Sequence, residues 1–348
     1  MLELKANSPL YRLSTMCNAF KTIYKLSPKE VDDFISAYDI FACDWVDGKA
    51  VKDAENVSYS LVKENVITWY SLLNHLCALG QVEKMYIPPT MDLNASLIDN
   101  QIMIEQRFAR ELGMKKDDQV FELGCGRGRV TAQLASFTGA NINAINIDQS
   151  QLDNAVDFAQ KTGLAEKCKF MNRDLNDIPF PFKNDHFDCI YEIQALSYAR
   201  SPQKLFHELA RILKPGGRIS LVEWVHLENY DPKNNHHANL MRKIKEITGA
   251  IGTPSPADYE KYLNEAGFDV LISEDPSINK SQEPVIRKAS SFYDKSLPFI
   301  KFLTKIKILP KHIPILLERL SRYTDELCEA DRLGLVAMSY HIIAQKRS

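Results

Sequence analysis

The sequence predicts an α/β protein: a Rossmann-like, mostly parallel sheet with helices on both faces, and helical additions at its N- and C-terminal ends. Three observations carry this. From Gln119 onward, short apolar runs alternate with stretches of helical period, the pattern of strands covered on both sides by crossover helices. The first run, VFELG, enters a turn with glycines at alternate positions, Gly124, Gly126 and Gly128, and a helical stretch follows at once. Glycine- and proline-marked turns punctuate the series, most clearly LKPGGR at 213–218, read as the opening of a hairpin.

Residues 1–100 read as a helical region, expected to cap the substrate. Ser27, Pro28 and Glu30 form a helix-start signal ahead of VDDFISAYDIFACDWV. Val57 to Leu79 is a second helical stretch, ended by Pro88 and Pro89, and Ser96 to Leu112 a third. Residues 101–275 hold the sheet domain. Its strands are QVFELG, INAINI, KCKFMNRD, FDCIYEIQ, RISLVEWV and FDVLISE, with helices near 130–136, 149–161 and 202–213. Residues 276–335 return to helix and are expected to form a lid, a substrate contact or an oligomer contact. Residues 336–348 contain AMSYHIIAQK, a closing strand that returns to the sheet.

With 348 residues, 45% hydrophobic and 25% charged, the chain can bury a large core. Its net charge of -2 gives no electrostatic footprint for nucleic acid, so none is expected as a partner. The seven cysteines are scattered, with no CxxC or other metal-ligand spacing, and read as reduced thiols with no metal site. MLELKANSPLYRL lacks the apolar core of a signal peptide, and no apolar run approaches a membrane span. A cytoplasmic protein is expected, with peripheral contact to endoplasmic reticulum or lipid bodies and self-association as further expectations.

Glycines at a strand-to-helix turn admit a ligand close to the backbone, because no side chain obstructs it and positive φ is tolerated. A plain tight turn is the alternative. A nicotinamide fingerprint would place its last glycine one position later, where Arg129 stands, and a P-loop would need Gly-Lys-Ser or Gly-Lys-Thr. Around the turn come Glu122, then Asn146 and Asp148 after the second strand, then Asn172-Arg173-Asp174-Leu175. This ordered set resembles the class I S-adenosyl-L-methionine-dependent methyltransferases, whose sheet ends in an antiparallel strand. The resemblance assigns Glu122, Gly124, Gly126 and Gly128 to the methionine side of that cofactor. It gives Asn146 and Asp148 to the ribose and Asp174 and Leu175 to the adenine. Arg127 and Arg129 stand where relatives have smaller residues; they are expected to project into solvent, with pairing to the cofactor carboxylate as the alternative.

GCGRGRVTAQLASFTGANINAIN, RISLVEWVHLENYDPKNN and YLNEAGFDVLISED are similar to the corresponding stretches of the sterol C-methyltransferase family, over about residues 57–275. The resemblance implies methyl transfer to an electron-rich carbon of an apolar sterol or related isoprenoid or triterpenoid through a cationic intermediate. Such chemistry needs in-line placement, π-faces near the cation and a base for the proton released afterwards. Two substrate-site signatures differ from the family. Its aromatic-acidic segment stands here as VITWYSLLNH, with Trp69, Tyr70 and His75 but no acid. Its Ile-Glu-Ala-Thr-Cys-His-Ala-Pro type segment stands as IQALSYAR, with Gln194 in the acid's place, Tyr198 in the histidine's and Glu192 as an acid nearby. A methylated position other than the usual side-chain carbon is therefore expected. Glu192, Tyr198 and His75, with Tyr191, are the candidate base. Trp69, Tyr70, Gln194 and Glu223 are candidate substrate contacts, Glu223 also a weaker base. The structural alternatives are plain core for Trp69 and Tyr70, a satisfied buried histidine for His75, and a strand-end anchor for Glu223. His236-His237 reads as a solvated loop. Heteroatom methylation of another small molecule, and a non-catalytic cofactor- or lipid-binding relative, are the alternative functions.

Overall fold

The predicted helix start at Ser27 is a complete capping box: the Ser27 hydroxyl receives the Glu30 N–H, and the Glu30 carboxylate receives the Ser27 N–H. The computed structural model describes residues 9–348. Residues 1–8, which open both the expected N-terminal region and the stretch read for a signal peptide, lie outside the described residues. Helix α1 is Pro9–Tyr24 and α2 is Pro28–Ala37.

The apolar pattern beyond α2 does not continue as helix. A 3-10 turn at Tyr38–Ala42 leads into a small antiparallel sheet of β1 (Asp44–Val46), β2 (Lys49–Lys52) and β3 (Glu55–Val57). Two-residue turns explain it. Asp47 and Gly48 have φ of 47° and 72°, and Asp53 and Ala54 have 52° and 67°, the left-handed pair that matches strand twist in a hairpin. Helices α3 (Tyr59–Leu79) and α4 (Leu97–Glu111) follow, N-capped by Ser58 and Ser96.

The sheet domain contains β4 (Gln119–Leu123), α5 (Arg129–Thr138), β5 (Asn141–Asn146), α6 (Gln149–Lys161), β6 (Cys168–Asn172) and β7 (Phe187–Ile193). Then come α7 (Pro202–Ile212), β8 (Leu213–His226), α8 (Asn235–Thr248), α9 (Pro256–Glu265) and β9 (Phe268–Glu274). Helices α10 (Glu283–Lys305), α11 (His312–Ser321) and α12 (Thr324–Arg332) lead to β10 (Val336–Lys346). The seven strands lie in the order β6-β5-β4-β7-β8-β10-β9, with β10 antiparallel to both neighbours. From β4 the chain adds β5 and β6 on one side and β7 and β8 on the other, all parallel, and ligands of open parallel sheets gather at such a switch point, at the carboxyl ends of the strands.

Successive residues of a strand face opposite sides. Phe121 and Ile190 join the core under α7 and α9, whereas Val120 and Cys189 join the core under α4 and α5. A third core unites the ends of the chain: Phe34 of α2, Trp69 and Leu73 of α3, and Ile313, Leu316 and Leu317 of α11. The segment expected as a lid is thus in part a packed layer shared with the N-terminal helices.

Two local expectations are corrected. LKPGG does not make a hairpin: Phe187 pairs with Leu213 and Cys189 with Arg218, so Lys214 to Gly217 bulge opposite Asp188. His236 and His237 are not loop residues; they begin α8, where the Asn234 side chain accepts their backbone N–H groups. Among the described residues, no helix is long and apolar enough to cross a membrane.

Candidate active site

A cavity opens at the switch point, between the glycine turn and α3. Gly124 has φ of 70°, and a Cβ there would lie 2.6 Å from the Ala195 Cβ. Gly126, with φ of 53°, has nothing nearer than the Gln151 Oε1 at 3.6 Å, so it is the glycine that leaves space for a ligand. Gly128 does not line the cavity; it lets α5 pack closely, since its Cβ would lie 2.7 Å from Ala155 and 3.0 Å from Phe170.

The other cofactor residues predicted from sequence line this cavity: Glu122, Asn146, Asp148, Asp174 and Leu175. Asn146 donates to Gln151 (2.8 Å). Asp148 is 4% exposed. Its Oδ1 accepts from the Ser150 N–H and hydroxyl at 2.8 and 2.7 Å, while its Oδ2 has no partner. Asp174 accepts from the Tyr59 hydroxyl at 2.7 Å and from the Asn176 N–H at 2.9 Å, with the Lys63 ammonium 3.6 Å away.

Glu122 is buried, and its Oε2 accepts from the Thr131 hydroxyl (2.5 Å). Burial pushes its carboxyl up from 4.5 to about 7. Between those values the unfolded chain has released a proton that the folded chain keeps, so stability falls as pH rises through this window and then levels off. Glu122→Gln removes the penalty and keeps an acceptor for Thr131. Its melting temperature is expected to match wild type near about pH 5 and exceed it near about pH 8, by an amount on the order of 2 kcal/mol in stability. A constant difference across that range overturns the assignment.

Helix α3 presents one face to the cavity. Tyr59, Val62, Lys63, Val66, Tyr70 and Asn74 follow the spacing i, i+3, i+4, i+7, i+11, i+15, and all of them line it. Trp69 lies off this face. It is buried against Phe41 (ring centroids 4.8 Å apart) and Tyr38, and fits over Gly249, where a Cβ would lie 2.3 Å from its ring. The predicted substrate contact at Trp69 is therefore a core residue. His75 is also absent from the cavity lining; burial and the Arg127 charge hold its imidazole below the usual range.

The two acids near the carboxyl ends of β7 and β8 are structural in placement. Glu192 is fully buried and accepts the N–H groups of Ala195 (3.0 Å) and Val222 (3.1 Å); Glu223, equally buried, accepts those of Leu196 (2.6 Å) and Trp224 (3.1 Å). Burial and the neighbouring Glu223 hold Glu192 well above the usual carboxylate range. Neither lines the cavity; together they shape the loop that carries Ala195 and Tyr198. Tyr191 is likewise buried, its hydroxyl beside Glu122 without a well-formed hydrogen bond.

Gln194 and Tyr198 do reach the cavity. Gln194 has φ of 52°, and its amide donates to the Met338 carbonyl on β10. A non-glycine residue there costs about 1 kcal/mol, so this contact helps to hold a strained backbone in place. The Tyr198 hydroxyl donates to the Gly249 carbonyl and lies 3.3 Å from the Tyr70 hydroxyl, the two rings edge to face at 6.4 Å. Burial holds both phenols above their usual range, Tyr198 well above.

The expectation that both arginines project into solvent is overturned. Arg129 is buried, its guanidinium 3.9 Å from the centre of the Phe158 ring and hydrogen-bonded to Asn154 (3.0 Å) and Glu83 (3.2 Å). Arg127 lines the cavity with its Nη1 buried and unpartnered. Tyr59, Lys63, Asn74 and Gln151 are among the polar cavity residues that sequence reasoning missed, and Arg127 entered it only as the alternative. For the first three, the helical stripe running back from Tyr70 was the available signal.

The fold is that of the class I, Rossmann-like methyltransferases, and residues 121–221 match the family model described as "Methyltransferase domain". The chain is similar to the sterol 24-C-methyltransferase of Pneumocystis carinii, 35% identical over 198 residues, covering 55% of this chain and 52% of that protein. It is similar to the sterol 24-C-methyltransferase ERG6 of Saccharomyces cerevisiae at 28% identity over 239 residues, covering 68% and 61%. The chain thus spans between half and two thirds of the length of these curated relatives. Among solved structures it resembles mycolic acid cyclopropane synthase CmaA1 complexed with SAH and CTAB, with a TM-score of 0.65, 17% identity, and coverage of 82% of this chain and 98% of that one.

Proposed function

We propose that the protein is an S-adenosyl-L-methionine-dependent C-methyltransferase acting on a sterol or related isoprenoid lipid, at a position other than the usual side-chain carbon. One observation carries this reading: the cavity joins a polar end, with buried unpartnered atoms on Asn74, Arg127, Arg129 and Asp148, to an apolar and aromatic wall of Val62, Val66, Ile67, Met85, Tyr70 and Tyr198. Buried polar groups are normally satisfied, so unpartnered atoms lining one cavity fit a polar ligand such as this cofactor. When bound, it supplies an electrophilic methyl group on a sulfonium.

The chain's own residues do the rest. The open side of Gly126 and the turn's backbone hold the methionine end, Asp148 and Asn146 face the ribose, and Asp174 with Leu175 faces the adenine. The rings of Tyr70 and Tyr198 offer π-faces to a developing carbocation. The apolar wall excludes water that would compete for it. Of the five side chains predicted as the base, Tyr198 is the one on the cavity and is retained, with Tyr70 and Gln194 as substrate contacts. Gln194 in place of an acid supports the shifted position of methylation, because a neutral amide withdraws the carboxylate that would steer the cation.

Incubation with methyl-labelled S-adenosyl-L-methionine and a panel of sterols and triterpenes is expected to give a labelled lipid, with the new methyl on carbon by NMR. Label on oxygen or nitrogen selects the heteroatom alternative. Cofactor binding with no labelled lipid sinks the reading.

A further inference from the structure

The second half of α10 carries two apolar faces, of which only one is covered. Tyr293 is buried, and Leu297 and Ile300 pack against the core shared with α2, α3 and α11. On another face stand Phe292, Phe299, Phe302 and Ile306, spaced i, i+7, i+10, i+14 and 44%, 63%, 56% and 48% exposed. Ile308, in the loop beyond, and Ile315 of α11 are 56% and 49% exposed. Soluble monomers rarely leave so many large apolar side chains grouped in water without a use.

The charge around this face is mostly positive. Residues 292–315 contain five lysines, Lys295, Lys301, Lys305, Lys307 and Lys311, against the single acid Asp294, in a chain whose net charge is -2. Lys301 pairs with Glu318 at 2.5 Å. The other four make no ion pair among the described residues. The last turn of α1 adds to the same neighbourhood: the His312 ring nitrogen is 2.8 Å from the Ile23 carbonyl, beside exposed Phe20, Tyr24, Lys21 and Lys25.

We propose that this face docks on an anionic membrane surface, its aromatic and aliphatic side chains entering the interface and its lysines meeting acidic headgroups. Phenylalanines and isoleucines ringed by lysines suit that partner, whereas a second copy joined through the same face would bring lysines against lysines. The contact is peripheral, since none of these helices can span a bilayer. It would bring a protein whose proposed substrate is an apolar lipid to the phase where such lipids dissolve, but the surface argument stands apart from that reading.

Co-sedimentation of the full chain with phosphatidylcholine vesicles, with and without added phosphatidylserine, tests this. Binding is expected to the anionic vesicles and to weaken in high salt. The double variants Phe299→Ser with Phe302→Ser, and Lys305→Glu with Lys307→Glu, are each expected to reduce it about 10-fold or more, with melting temperature and S-adenosylhomocysteine affinity unchanged. Absence of binding, equal binding by the variants, or a wild-type dimer that the phenylalanine variant converts to monomer overturns the proposal. Failure of cofactor binding with vesicle binding intact would instead count against the enzymatic reading alone.

Discussion

Asp148→Ser is expected to weaken S-adenosylhomocysteine binding about 10- to 100-fold while leaving the melting temperature of the free protein almost unchanged. The two oxygens of Asp148 do different work. Oδ1 caps α6 through the Ser150 N–H, and serine is as good an N-cap as aspartate. Oδ2 is buried on the cavity wall with no partner, so its desolvation is uncompensated until hydroxyl donors arrive. Hydrogen bonds to a charged acceptor contribute about 1.5–3 kcal/mol, which sets the expected loss. Asp148→Ala removes the cap as well and is expected to destabilise the free protein by about 1 kcal/mol on top of the same binding loss. Calorimetric titration and thermal melting separate the two effects. Wild-type affinity in Asp148→Ser would move the ribose contact to Asn146.

Most strands and helices from Gln119 onward were legible because they are long enough to show their period, whereas α8, read as loop at His236-His237, and the bulge at LKPGG were not. Nor were β1, β2 and β3, since three or four residues show no alternation, although Asp47-Gly48 was a turn signal. In the site, the glycine turn, Asp148, Asp174, Tyr70, Gln194 and Tyr198, which line or border the cavity, were assigned through the family resemblance of the segments that carry them. The misreadings have two physical sources. Helix phase decides one: Trp69 precedes Tyr70 by one position, a rotation of about 100°, and so turns away from the cavity into the core beside Phe41 and Tyr38. The other concerns carboxylates. Glu192 and Glu223 serve as acceptors for backbone N–H groups in a buried loop, and no pattern in YEIQALSY distinguishes that use from a base facing a ligand. Arg127 and Arg129 were misjudged for a related reason, because a charged residue in a turn reads as solvated unless the helices covering it are known.

Arg127→Gln is expected to weaken S-adenosylhomocysteine about 10- to 100-fold and to leave 5′-methylthioadenosine, which lacks the amino-acid portion, at wild-type affinity. The Arg127 guanidinium lies on the cavity wall at the glycine turn, held by Asn154 through its Nε at 3.2 Å, with Nη1 buried and unpartnered. Burial and the adjacent Arg129 depress its pKa, the signature of a cation short of a counter-ion. The anion that the proposed cofactor brings to this end is its carboxylate, and methylthioadenosine, which lacks it, is therefore expected to bind wild type and Arg127→Gln alike. Because an unpaired buried charge is unfavourable in the free protein, the variant should melt at the same temperature as wild type or higher. That separates a lost contact from a damaged fold. Equal losses for S-adenosylhomocysteine and methylthioadenosine would show that Arg127 only shapes the turn, and unchanged affinity for both would remove it from the site.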